Sequence, residues 1–171
     1  MNSRKRHLLV LSIYPNSRGF TFVLFEGPLA PVDWGIAEVR GPRKNERCLM
    51  RIRGLFGRFA VDALVLQEMS DSSTRRAERI KRLNRHITRL AEDRHIPIFA
   101  YSRLQVRACL ASIGLTTKQG IAEAIAKRIP AFERYVPPIR KPWMSEHSHM
   151  GLFDSAALAL TYYSDRSRGS P

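Results

Sequence analysis

Tyr14-Pro15-Asn16 closes the first apolar run of the chain, and Gln67-Glu68 closes another, Ala63-Leu-Val-Leu66. Two such runs, lying side by side as buried parallel strands, put a phenol and a carboxylate at adjacent strand tips, where α/β proteins often carry chemistry. With the last helix passing nearby, that placement suits a metal site that cuts a phosphodiester. In such a site two Mg²⁺ ions about 3.5 to 4 Å apart activate the attacking water and stabilise the leaving oxygen. Hard cations need carboxylate oxygens gathered from several elements. A tyrosine is a poor ligand for them, because its phenol keeps its proton at pH 7. Tyr14 can instead stack on a base of single-stranded or distorted DNA, or simply pack in its turn.

The elements that must hold these tips are readable from periodicity. Residues 8–14, 20–26 and 34–40 form three strands on short turns, Pro15-Asn-Ser-Arg-Gly19 and the stretch from Gly27-Pro28 to Pro31, hence an antiparallel meander. Cys48 to Phe59 carries Leu49, Ile52, Leu55, Phe56 and Phe59 at helical spacing. Ala63-Leu66 is a strand parallel to the first, reached through that crossover helix. A helix follows from Thr74 to Asp93, with Asp71-Ser-Ser73 placed to cap it and an apolar stripe of Ala77, Ile80, Leu83, Ile87, Leu90 and Ala91. Ile96-Pro-Ile-Phe-Ala100 is a fifth strand, which its proline assigns to an edge.

A helix from Arg103 to Ser112 stops at Gly114, and Thr116-Thr-Lys-Gln119 predicts a capping box that opens another, closed by Pro130. Residues 130–145 are expected to be loop, and a last helix to span residues 151–163. The resulting domains are a basic N-terminal segment, 1–6, one domain over 7–163, and a flexible polar tail, 164–171. The order predicts an α/β fold: a mixed five-stranded sheet, its first three strands antiparallel, flanked by helices on both faces.

The chain has 171 residues and a formal net charge of +14, with Lys and Arg totalling 29 against 15 Asp and Glu. The excess is spread along the sequence, so it describes a basic surface rather than a tail, and it points to a polyanionic partner, most often nucleic acid. No apolar run reaches the roughly 18 residues of a membrane span, and the N-terminus has no signal-peptide pattern, so the expectation is cytoplasmic and without a membrane. Two cysteines, Cys48 and Cys109, are too few for a disulfide framework or a cysteine-built zinc site.

Four stretches, in order, resemble the RuvC family of Holliday junction resolvases, which have a ribonuclease H-like fold. Leu11-Ser-Ile-Tyr-Pro-Asn-Ser-Arg-Gly19 is similar to the family's first strand, Gly-Ile-Asp-Pro-Gly-Ser. Val32-Asp-Trp-Gly-Ile36 fits its third strand, Leu64-Val-Leu-Gln-Glu68 its fourth, and Asp154-Ser-Ala-Ala-Leu-Ala-Leu160 its final helix. Tyr101-Ser-Arg-Leu-Gln-Val106 and the helix of Lys118-Gln119 keep the same order, so the resemblance covers roughly residues 7–163.

What the resemblance implies is an endonuclease acting on branched DNA, dependent on Mg²⁺ or Mn²⁺, probing a four-way junction as a homodimer, with Glu68 and Asp154 as catalytic metal-binding acids. Two positions depart from it. The first-strand aspartate of the family is Tyr14 here, and its Asp or His one turn before the last acid is Gly151. Glu146, His147 or His149 either substitutes from the loop before the last helix or is an ordinary solvated residue. The same scaffold without cleavage is a branched-DNA-binding protein. A third class, a helix-turn-helix regulator reading through residues 103–129, leaves the upstream strands without a purpose. For DNA the candidate contacts are Tyr14, Arg75, Arg76, Arg79, Arg82, Arg103, Arg107, Lys118, Lys127, Arg140 and Lys141. Trp143 beside them is a further one, whereas Trp34 reads as sheet packing.

Overall fold

The computed structural model describes residues 6–69 and 74–169, apart from the side chain of Arg76. Its strands are β1 (Val10–Asn16), β2 (Gly19–Phe25), β3 (Pro31–Glu38), β4 (Ala63–Gln67) and β5 (Ile98–Tyr101). They form one sheet in the order β3-β2-β1-β4-β5, antiparallel across β1, β2 and β3 and parallel from β1 to β4 to β5. The sequence expectation of a mixed sheet with an antiparallel meander holds, and the proline-preceded strand lies at an edge. In the register, Ile13 faces Leu66, so Tyr14 and Gln67 are the next residues beyond the shared ladder.

Helices α1 (Lys44–Arg58) and α2 (Arg75–Glu92) cover one face. Leu49, Ile52, Leu55 and Phe56 of α1 and Leu83, Ile87 and Leu90 of α2 meet Leu11, Ile13, Leu24 and Leu66 of the sheet there in one apolar cluster. Helices α3 (Arg103–Ala111), α4 (Lys118–Arg128) and α5 (Met150–Arg168) cover the other face. α5 is buried along most of its length. Its Leu152, Phe153 and Ala156 join Val23 and Phe25 of β2, Ile125 of α4 and Ile129 just past its end. Cys48 is buried and Cys109 half-buried, both as free thiols. Trp34 packs edge-on against Phe132 at 5.3 Å, a packing role as its sequence context indicates.

A buried polar network seats α5 on the sheet. The Thr21 hydroxyl donates to the Gly151 carbonyl at 2.6 Å and lies 2.8 Å from the Ser155 hydroxyl, while Ser12 donates to the Ser155 carbonyl at 2.7 Å. Buried hydroxyls are costly unless paired, so this cluster fixes both the height and the rotation of the helix. At the β1–β2 turn, the Asn16 side chain accepts from the Arg18 and Gly19 N–H groups at 2.9 and 3.1 Å. A Cβ on Gly19, whose φ is +151°, would lie 2.1 Å from the Ala37 carbonyl oxygen, so β3 can approach the turn only at glycine.

Three local expectations are corrected. Thr117, not Thr116, caps α4, accepting from the Gly120 N–H at 3.0 Å, and Gln119 donates to the Pro137 carbonyl at 2.9 Å instead of reaching back. A capping box does form, one helix earlier, between Ser102 and Gln105. Residues 130–135 of the expected loop form a 3-10 turn, because buried Phe132 inserts between α4 and α5. The polar tail is helical through Arg168: Tyr101 donates to Asp165 at 2.9 Å and the Arg166 guanidinium lies over the Phe99 ring at 5.3 Å, extending α5 along the β5 edge. Asp71-Ser-Ser73 lie outside the described residues, and the cap seen on α2 is Thr74, which accepts from the Ala77 N–H at 3.1 Å.

Candidate functional site at the tips of β1 and β4

The carboxyl ends of β1 and β4 open into two adjoining hollows. The narrower, about 100 Å³, lies among β1, α3, α4 and α5; Tyr14, Gln67, Arg103, Arg107, Thr116, Lys118 and Asp154 form its polar lining over an apolar floor that includes Val106, Leu110 and Phe153. The wider cleft runs toward α2 and is lined by Asn16, Glu68, Thr74 and Glu146, again with Tyr14, Gln67 and Arg103. Tyr14 therefore stands on the ridge between the two. Glu68, just past the end of β4, is exposed, and its N–H donates to the Tyr101 carbonyl at 2.8 Å.

Lys118 is the centre of the narrower hollow. As the first residue of α4 it points its ammonium at two carboxylates: Nζ is 2.7 Å from Glu146 Oε1 and 3.3 Å from Asp154 Oδ2. Glu146 sits in the loop before α5, held there by its carbonyl, which accepts from Arg18 at 3.0 Å. Asp154 comes from the second turn of α5, one turn beyond the Thr21–Gly151 contact.

The charges follow from this geometry. Burial alone would lower the Lys118 pKa, but the Asp154 charge, the Glu146 hydrogen bond and the nearby Tyr14 together outweigh it, so the ammonium is held above its ordinary value. Burial pushes the Asp154 carboxyl up to about 6, with Lys118 pulling it back down and Glu146 adding to the rise. The Tyr14 phenol is raised by burial and then by the Asp154 charge, so at neutral pH it is an uncharged group.

These residues do not fit a pair of divalent ions. Among the described residues, no three His, Cys, Asp or Glu side chains are grouped so as to hold a metal. Gly151, where the resemblance implies an Asp or His, leaves no room for a side chain. A Cβ on Gly151 would lie 2.8 Å from Thr21 Cγ2 and 3.0 Å from Asn16 Nδ2, so α5 rides too close to β1 and β2 for a carboxylate there. His149 precedes α5 and its ring meets His147 at 4.6 Å and Tyr135 at 5.5 Å; it lines neither hollow.

The cations named from the sequence divide into three groups. Arg103, Arg107 and Lys118 converge on the narrower hollow. Arg75, Arg82, Lys127, Arg140 and Lys141 are exposed outside the lining of both hollows, with Lys141 over the ring of exposed Trp143 at 5.4 Å. Arg79 is held differently: its guanidinium donates to the Asn16 carbonyl at 2.9 Å and to Asn45 Oδ1 at 3.0 Å, bracing the β1 tip. The side chain of Arg76 lies outside the described residues. Sequence reasoning missed the pairing of Glu146 with Lys118 and the place of Gln67 and Thr116 in the lining.

No family model matches the chain, and no curated protein sequence matches it. Solved structures do. The structure of T. thermophilus RuvC in complex with Holliday junction substrate aligns over 95% of this chain and 97% of its own, with a TM-score of 0.67 at 17% identity. A Thermus thermophilus RuvC structure aligns over 94% and 97%, with a TM-score of 0.66 at 18% identity. A match over almost the whole of both chains at so low an identity speaks for the backbone, and this chain has the ribonuclease H-like fold seen in RuvC.

Proposed function

We propose that the protein binds branched DNA, in particular four-way junctions, on a RuvC-like scaffold whose cleavage site has been replaced. The observation that carries this reading is Lys118 held between Glu146 and Asp154, with a neutral tyrosine at the first-strand position. A solved structure of the same fold holds a Holliday junction substrate, and the net charge of +14 here is suited to phosphate backbones. Arg103 and Arg107 at the mouth of the hollow, and Arg75, Arg82, Lys127, Arg140 and Lys141 outside it, are the proposed phosphate contacts. Tyr14, on the ridge between the hollows, is the proposed stacking partner of an unpaired base. A homodimer would match the two-fold symmetry of a junction.

The test is fluorescence anisotropy with labelled four-way junction and linear duplex of equal length across a salt series. Junction affinity is expected to exceed duplex affinity by roughly tenfold or more and to fall steeply with salt. Equal affinity for the two DNAs would remove the reading.

A second reading, a Mg²⁺- or Mn²⁺-dependent endonuclease, is favoured by one observation: Glu68 is exposed at the β4 tip and lines the same cleft as Tyr14 and Glu146. Junction nicking that needs a divalent ion and disappears in Glu68→Gln would establish it in place of the first. If the wild type is inert, Tyr14→Asp asks whether the first-strand acid is the sole deficiency.

A further inference from the structure

Glu146 and Asp154 reach a common point from different elements, a loop and a buried helix, and an ammonium already occupies that point. Two carboxylates aimed at one place repel each other unless a cation lies between them. Such a pair at the mouth of a DNA-facing hollow would also repel phosphate. Arg103 and Arg107 border the same hollow but no ion pair joins them to either acid among the described residues, so direct neutralisation falls to Lys118, with Arg103 adding a weaker pull on Asp154.

We propose that Lys118 is a built-in cation standing where a divalent ion would otherwise be required, making the approach of a phosphodiester to the β1–β4 tips independent of metal. The inference rests on the DNA-binding reading for the identity of the phosphate, though not for the cation assignment itself. An ammonium donates up to three hydrogen bonds and carries a fixed charge, so it can hold two acids and still attract an anion. It offers no coordination position at which to activate water, in contrast to a metal. The loop carrying Glu146 is tied down by Arg18, and α4 begins at a side-chain cap, so the lysine is fixed at both its root and its target. An ordinary surface pair contributes little and leaves nothing behind when it is cut. Removing Lys118 instead leaves two converging acids, one of them only 19% exposed.

The test uses the full chain and Lys118→Met, free of DNA, titrated with Mn²⁺ by calorimetry and electron paramagnetic resonance, each against the matching Asp154→Asn protein to subtract uptake elsewhere. Wild type should show no Asp154-dependent uptake, and Lys118→Met should gain one site. In parallel, wild-type junction affinity should be the same in chelator and in Ca²⁺. The affinity of Lys118→Met should fall roughly tenfold in chelator and recover when Ca²⁺ is added. Lys118→Arg, which keeps the charge, should remain metal-independent.

Asp154-dependent Mn²⁺ uptake by the wild type would overturn the proposal, as would a folded Lys118→Met protein that takes up none. If Lys118→Met fails to fold, the wild-type titration decides alone. Should wild type bind junction and duplex alike, the DNA-binding reading falls, while Mn²⁺ uptake still decides the cation assignment.

Discussion

On the α1–α2 side of the β1 tip, Arg79 reaches the Asn16 carbonyl and the Asn45 side chain; on the α4–α5 side, Lys118 reaches Glu146 and Asp154. Both are cations at the same strand end, yet their partners differ in kind. Among the described residues Arg79 donates to neutral acceptors and locks the turn, which is structural work. Lys118 satisfies two acids, so its loss changes the charge of the hollow as well as its packing. The comparison separates a brace from a site: a cation spent on carbonyls leaves unpaired oxygens when removed, and a cation spent on carboxylates leaves a demand for another cation.

The largest disturbance is expected where the α5 side has no room. Gly151→Asp would force a Cβ to 2.8 Å from the buried Thr21 Cγ2 and break the seat of the helix. Overpacking with a buried charge should cost roughly 3 kcal/mol or more in urea unfolding. A Gly151→Asp protein as stable as wild type would show that α5 can rise from the sheet, and the close approach would no longer explain the missing acid. On the other side, Arg79→Met should cost about 2 kcal/mol, because it orphans the Asn16 carbonyl and Asn45 Oδ1, with junction affinity lowered less than by Arg103→Met. A larger loss of binding than of stability in Arg79→Met would move Arg79 from the brace to the DNA-facing group.

How much of this was legible follows the range of the interaction concerned. Strand order and sheet type could be read because Val10–Ile13 is apolar but for Ser12 and Ala63–Leu66 is apolar throughout, while the turns carry Pro, Gly and Asn. Arg75 and Arg79 could not be told apart: both are arginines on one helix, and only the turn at Asn16, far away in sequence, captures the second. Lys118 was legible as a candidate phosphate contact but not as the partner of acids 28 and 36 residues downstream. Each of those acids has an unremarkable local context. The cap of α4 fell on Thr117 instead of its neighbour because either hydroxyl satisfies the local pattern, and the path of the chain out of α3 decides between them. The absence of an acid at Gly151 was visible in the sequence; its cause, the Thr21 hydroxyl and methyl beneath it, is a contact across 130 residues.

The third effect, no larger than roughly that of Arg79→Met, bears on which force governs the hollow. Asp154 faces Lys118, Glu146, Tyr14 and Arg103, and burial raises its carboxyl to about 6 from an ordinary value of 3.8. Between those two pH values the folded protein holds a proton on Asp154 that the unfolded chain has released. Stability contributed by this group must then fall as pH rises through that window, and the full penalty applies above it. Asp154→Asn removes the titration. The stability of wild type relative to Asp154→Asn should therefore decline by on the order of 2 kcal/mol from pH 4 to pH 7, as read from paired urea titrations. Lys118 keeps its charge throughout that range, so it cannot produce the slope itself. A difference that rises with pH instead would mean that the pull of Lys118 exceeds the cost of burial, making the pair a stabilising bridge in place of a neutralised acid.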